Sequence, residues 1–339
     1  MPTIFRRPDW VLLDKVAYLA DRPNGTTARC VTAIGQAVEV SFWLSDPPGI
    51  SHLCVHCPGL ERTDFTAEPT VLHAADRGHR EYFVYEADYQ HPSLRPLPIP
   101  YPLALQQYEF GLLPGVGGFR IAVLRPQKLF SDDAYDLHIF SSKAWTWNTK
   151  QAQLGSQSPR TKGRCLMHQT DKVIALRGDT LGFVDLWHGI LCCQVIDESP
   201  DDLLLRYIPL PPLMDSNKSM VSSSSDIRDV ACIDGVVKFI DDAQATSPLY
   251  YMTRICWSLP TAPLEPRTSD HWLLDCEIDV SDVTVSNPKH LALLPDLSSS
   301  HSAKSTLNRN LRPSAPAFGM HNGDAVYLTC KVETMDKTA

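Results

Sequence analysis

The hexapeptide His52-Leu53-Cys54-Val55-His56-Cys57 holds the densest run of metal-ligating side chains in a chain of 339 residues. Zinc takes four tetrahedral nitrogen or sulfur ligands. Cys54 to Cys57 supplies one C-x₂-C knuckle, and no second C-x₂-C element completes the set. On a strand, His52, Cys54 and His56 share one face while Leu53, Val55 and Cys57 share the other. Ordinary strand alternation is the favoured reading. A metal site or an enzyme built on His52, Cys54, His56 and Cys57 is the alternative.

Other constellations carry less chemistry. No Gly-x-Ser-x-Gly elbow is present, and no cysteine stands out from apolar surroundings as electropositive and exposed. Gly115, Gly117 and Gly118 suggest a phosphate loop, but Phe119 to Arg125 reads as a strand where a helix N-terminus would be needed, so a plain turn is expected. Arg160, Lys162 and Arg164 form the one basic cluster, in a polar stretch without aromatic neighbours to stack bases. Ser222 to Ser225, next to Asp226, reads as flexible filler that a kinase could use. Trp145 and Trp147 lie two apart on one expected strand face, and Trp187 follows Asp185 and Phe183 on another. Core packing is expected of all three, with an exposed Trp becoming an interaction candidate. No residue is assigned a catalytic, cofactor-binding or metal role.

The elements that must position these residues are short strands. Val38, Val40 and Phe42 alternate with Glu39, Ser41 and Trp43, the period of an antiparallel sheet with one buried face. Runs at Trp10–Leu19, Ala28–Ile34, Ala37–Leu44, Ser51–Cys57, Thr70–Ala75, Tyr82–Tyr89, Phe119–Arg125 and Tyr135–Ser142 fill the first half, with Pro-rich loop from His91 to Pro102. Lys172–Leu176, Phe183–Trp187, Ile190–Ile196, Leu203–Leu210, Asp229–Ile233, Val236–Asp241, Tyr250–Leu259, Trp272–Val280 and Ala325–Val332 fill the second, with a serine-rich loop from Ser298 to Pro316. Asp234-Gly235 is the firmest turn, since both central positions of a tight hairpin need positive φ. The expected organisation is an N-terminal β half (1–148), a linker (149–168) and a C-terminal β half (169–336). Many strands at spacings of roughly 8 to 12 residues, without alternating helices, imply an all-β fold of antiparallel sheets, propeller-like by length, with little helix.

Composition agrees. Proline numbers 27, well above average usage, and it is costly inside helices. The formal net charge of −8 is the wrong sign for a protein that neutralises phosphates, so no nucleic-acid partner is expected. No apolar run is long enough to span a bilayer as a helix, and residues 1–10 lack a signal-peptide core. An intracellular location, cytoplasm or nucleus, is therefore expected. Ten cysteines sit mostly in apolar runs and read as small buried hydrophobes. Asn24-Gly25-Thr26 and Asn217-Lys218-Ser219 read as coincidental sequons.

One segment is more distinctive than composition explains. Gly182-Phe183-Val184-Asp185-Leu186-Trp187-His188-Gly189-Ile190-Leu191-Cys192-Cys193 is followed by Leu205-Arg206-Tyr207-Ile208-Pro209-Leu210-Pro211. This resembles the plant family described as domain of unknown function 1618, expanded in grasses, whose members carry a G-W-V-D-L-W-x-G-I-L-L-C core and an R-Y-I-P-L-P run. Gly49–Gly59, Gly111–Pro114, Tyr135–Ser142 and Arg228–Ile240 resemble further blocks, so the likeness runs from Trp10 to about Val332. Phe183, His188 and Cys193 stand where the family usually has Trp, Arg and Leu. The resemblance implies no catalytic residues and no cofactor, because the family's molecular activity is unassigned. With no chemistry legible, the expected function is a non-enzymatic protein-interaction or scaffold module whose partner is another protein.

Overall fold

Each period-2 run becomes a strand because alternate apolar residues can face a core while the ladder satisfies the backbone. The computed structural model describes residues 11–14, 16–46, 49–58, 65–67, 71–76, 79–98, 105–127, 134–155, 168–195, 202–214, 217, 223–242, 253–260, 272–279, 311–319 and 326–332. Among these there is no α-helix, only strands, irregular segments and short 3₁₀ turns such as Gln107–Glu109 and Ser224–Asp226. The all-β class and the scarcity of helix hold.

The first sheet joins β1 (Leu12–Leu13), β2 (Tyr18–Leu19), β3 (Ala28–Val31), β4 (Ala37–Trp43) and β5 (Ile50–His56), with β1 and β2 both parallel to β5 and the other pairs antiparallel. The second is a meander of β6 (Phe65–Ala67), β7 (Val71–Asp76), β8 (His79–Glu86) and β9 (Ser93–Leu97). The third has eight strands. Its members β10 (Gly111–Gly115), β11 (Gly118–Pro126), β12 (Ala134–Ser141) and β13 (Thr146–Leu154) continue into β17 (Asp202–Pro209), β16 (Gly189–Gln194), β15 (Thr180–Asp185) and β14 (Lys172–Ala175), in that spatial order. The fourth is β18 (Arg228–Ile233), β19 (Val236–Asp242), β20 (Thr253–Pro260) and β21 (Leu273–Asp279), and the fifth is β22 (Leu311–Phe318) with β23 (Val326–Val332).

The eight-stranded sheet is not a four-stranded propeller blade: it curls into a nearly closed barrel. The seam is β13 with β17, which pair in parallel through Gln151↔Asp202 to Leu154↔Leu205 before β17 turns antiparallel onto β16. Its two edges come together so tightly that a Cβ on Gly111 would lie 2.6 Å from both Leu181 and Val173. Inside sit Leu113, Leu124, Leu137, Phe183, Leu191 and Tyr207 with their neighbours. Outside, Tyr82, Val84 and Leu97 of the second sheet pack on Ile121, Val123 and Phe140, while Val230, Val237 and Phe239 of the fourth pack on Val184, Ile190, Cys192 and Ile208. Phe83 and Leu94 face the first sheet's Val38, Val40, Leu53 and Val55, and Ile240 and Cys256 face Phe318 of the fifth.

Strands continue where loops were expected. The proline-rich stretch supplies β9, an edge strand in which Pro96 stands opposite Phe83; at an edge the lost N–H need not break a ladder bond. The serine-rich loop ends in β22, where a register shift between Ser314 and Ala317 accommodates Pro316. Strand β13 takes in the first residues of the polar stretch read as a linker, and 156–167 lie outside the described residues, with Arg160, Lys162 and Arg164 among them. The run Trp10–Leu19 yields only the two-residue pieces β1 and β2.

Candidate functional site

The hexapeptide lies on β5 and the residue beyond it, and alternation holds. Leu53, Val55 and Cys57 enter the core between the first and second sheets. On the opposite face, the register sets His52 beside Trp43, Cys54 beside Ser41, and His56 beside Glu39. Burial pushes the Cys54 and Cys57 thiols up from their ordinary range, Cys54 against the pull of Arg22 and Cys57 with help from Glu81. A protonated thiol is a poor metal ligand. Among the described residues no group of three His, Cys, Asp or Glu is placed to hold a metal ion.

What the face does assemble is an aromatic and cationic cluster. The His52 ring stacks on Trp43 at 6.5 Å between centroids, with planes 9° apart. Tyr18 meets the other edge of the same imidazole at 5.1 Å and 74°. The Arg22 guanidinium carbon stands 4.1 Å from the Trp43 ring centre, and the Trp43 indole N–H donates to the Arg22 carbonyl at 3.2 Å. Tyr18 is 44% exposed and donates its hydroxyl to Asp14, while Ile50, on the His52 face of β5, is 57% exposed. Arg29, on the same sheet, is neutralised by Glu39 at 2.8 Å; among the described residues no carboxylate pairs with Arg22. Sequence reasoning named His52 for metal chemistry and missed Trp43, Tyr18 and Arg22. The period-2 pattern that paired Trp43 with His52 across a short hairpin was the available signal.

The second polar concentration surrounds the distinctive turn. Strand β15 ends at Asp185, and Leu186, Trp187 and His188 form the turn into β16. Asp185 is buried and accepts from the Trp187 and His188 amides at 2.9 and 3.1 Å, from Gln169 N–H at 3.0 Å, and contacts His188 Nδ1 at 2.9 Å. Asp171 accepts the Leu186 amide at 2.8 Å and the Ser224 hydroxyl. Burial raises both carboxyls. For Asp171 that prevails, aided by the charge of Asp185; for Asp185, the His188 and Gln169 hydrogen bonds together with the nearby imidazoles outweigh it, and its pKa lies below the usual carboxylate range.

Two carboxyls pushed apart in acidity are the usual sign of an acid–base pair. Here both are committed to holding the turn amides, so their chemistry is spent on architecture. Arg228 completes the knot: fully buried, it donates to the Leu186 carbonyl at 2.9 Å and to Asp241 at 2.7 Å, and Asp241 also accepts from the Asn217 amide at 2.7 Å. His168 lies beside it with both ring nitrogens shut off from solvent and without a hydrogen-bond partner among the described residues, and burial lowers its pKa to about 4. Gly189 is required by closeness, since a Cβ there would sit 2.5 Å from the Tyr207 ring and 2.6 Å from the Ile208 carbonyl.

Some expectations change at these positions and others hold. Trp187 belongs to the turn, half-buried, and does not share a strand face with Phe183 and Asp185. Cys192 and Cys193 point to opposite faces, yet both are buried, because the barrel wall has a core on each side. Trp145 lies in the β12–β13 turn at φ 56°, with Trp147 on β13; both still pack on Phe140, at 5.0 and 5.4 Å, and the Arg95 guanidinium stacks 3.3 Å from the Trp145 ring centre. Gly115, Gly117 and Gly118 make the β10–β11 hairpin. Ser224 is buried beside Asp171 while Ser223 and Ser225 are exposed. The amide nitrogens of Asn24 and Asn217, where a glycan would attach, donate within the fold.

No curated protein matches the chain. Residues 183–327 match the family model described as Protein of unknown function (DUF1618), a span that takes in the turn from Phe183 to Gly189, the Arg228–Asp241 pair and the Asp234-Gly235 hairpin. Over that span the chain is similar to the family of domain of unknown function 1618.

Proposed function

We propose that the protein is a non-enzymatic interaction module that docks another protein on the outer face of its first sheet. The observation that carries this reading is the Trp43–His52–Tyr18–Arg22 cluster. Trp, Tyr and Arg are the side chains that concentrate binding energy at interfaces, and here they stand pre-ordered by mutual stacking, so little rotamer freedom is lost on docking. Arg22, which pairs with no carboxylate among the described residues, selects a partner that presents an acidic side chain beside an apolar one. By contrast, the carboxylates of the signature turn are used up within the fold.

Affinity capture from the tissue that expresses the protein, run in parallel with wild type and Arg22→Glu, tests the reading. A protein recovered in stoichiometric amount by wild type and lost with Arg22→Glu supports it. Equal recovery with both chains, or no stoichiometric partner with either, contradicts it.

A further inference from the structure

The fourth sheet brings two cysteines face to face. Cys256 on β20 and Cys276 on β21 are direct cross-strand partners in an antiparallel ladder, although 20 positions separate them in the chain. Directly opposed residues in such a ladder have Cα atoms about 4.5 or 5.5 Å apart, depending on whether the pair is hydrogen-bonded, and both values fall in the range of about 4.4 to 6.8 Å that a disulfide spans. Both residues are thiols here.

Their environments differ in the way a two-step oxidation needs. Cys276 is exposed on β21, the edge of the sheet, where a soluble reagent can reach it. Cys256 is buried against Ala231, Ile233, Ile240 and Phe318, sheltered from direct attack yet adjacent to Cys276. The register shifts immediately after Cys256, and the extra residue, Asp275, is tied by the Ser258 hydroxyl at 2.7 Å. That hydrogen bond fixes the register at the cysteine pair. Other cysteines among the described residues have different cross-strand partners: Cys192 stands opposite Gly182 and Arg206, and Cys193 opposite Leu181.

We propose that Cys256 and Cys276 form a reversible disulfide, a redox modification site that staples the edge strand β21 to β20. The co-reactant is a small-molecule disulfide of the glutathione type. The Cys276 thiolate attacks one sulfur of glutathione disulfide and releases one glutathione thiolate, leaving a mixed disulfide on Cys276. Cys256 gives up its proton to that leaving thiolate, attacks the Cys276 sulfur and expels the second glutathione. Two protein thiols are oxidised and one glutathione disulfide is reduced to two glutathione thiols. Exposed cross-strand disulfides of this kind are the readily reduced ones, which suits reversal.

The test is peptide mapping by mass spectrometry under non-reducing conditions. The full chain is equilibrated in buffers of graded glutathione to glutathione-disulfide ratio and quenched with a thiol alkylator. The expected product is an intramolecular peptide pair joining Cys256 to Cys276, lost on dithiothreitol treatment and absent from Cys276→Ser. In Cys256→Ser the expected product is Cys276 carrying glutathione that no second thiol displaces. Glutathione retained on Cys276 of the wild type without closure, linkage of Cys276 to any other cysteine, or both thiols alkylated at every ratio would overturn the proposal.

Discussion

Arg228 holds its charge in a place closed to solvent, and its two acceptors, Asp241 and the Leu186 carbonyl, tie the fourth sheet to the signature turn. Removing one partner of such a pair strands the other as a buried charge, which costs about 3 to 5 kcal/mol, whereas replacing both by apolar side chains is far milder. Arg228→Ala should therefore melt well below wild type, and Arg228→Met combined with Asp241→Leu should recover part of that loss; chemical denaturation of the three proteins measures both. His168 makes a different statement. The fold keeps it neutral down to about pH 4, while in the unfolded chain it protonates near 6.5. Between those values the unfolded chain binds more protons, so stability falls as pH drops through the window and levels off below it, by at most about 3 kcal/mol. The raised pKa of Asp171 opposes this at the acid end, because that carboxyl takes up its proton more readily in the fold. His168→Leu should flatten the slope between pH 6.5 and 4 in denaturant melts; an unchanged slope would contradict the buried neutral imidazole.

At the scale of elements, local turn chemistry was the legible part. Asp234 and Gly235 adopt φ 51° and 76°, and Ile233 pairs with Val236, which is the two-residue hairpin their types require. Gly235→Val places a β-branched residue at positive φ and should cost about 1 to 2 kcal/mol, read as a lowered midpoint; a midpoint equal to wild type would contradict the turn. Strands β9 and β22 were illegible for a physical reason. Proline and polar composition mark a segment as irregular only when its N–H groups are needed, and edge strands and bulges relax that need. Alternation says which face Cys192 and Cys193 of β16 take, not what covers that face. With a core on each side of the barrel wall, Cys192 and Cys193 should both react slowly with a thiol reagent, and burial pushes the Cys193 thiol up to about 12. Rapid labelling of either in the native protein would contradict this packing.

Across the whole molecule, the sequence carried the all-β class and the scarcity of helix but not the way the sheets combine. The parallel joint of β13 with β17 that curls the third sheet is a pairing between segments some fifty residues apart, and no local pattern encodes it. In the distinctive segment, Asp185, Gly189 and their partner Arg228 hold a turn and a sheet contact. The cluster of Trp43, His52, Tyr18 and Arg22 drew less notice because its members come from four separate stretches of the first sheet and its loops. The central claim is that this cluster binds a protein and is not needed for stability. Isothermal titration of the captured partner into wild type and into Arg22→Glu/His52→Ala, with thermal melts of both chains, tests it most directly. The account predicts a loss of about 2 kcal/mol or more in affinity, roughly thirtyfold, at a nearly unchanged midpoint; unchanged affinity, or a collapsed midpoint, would contradict it.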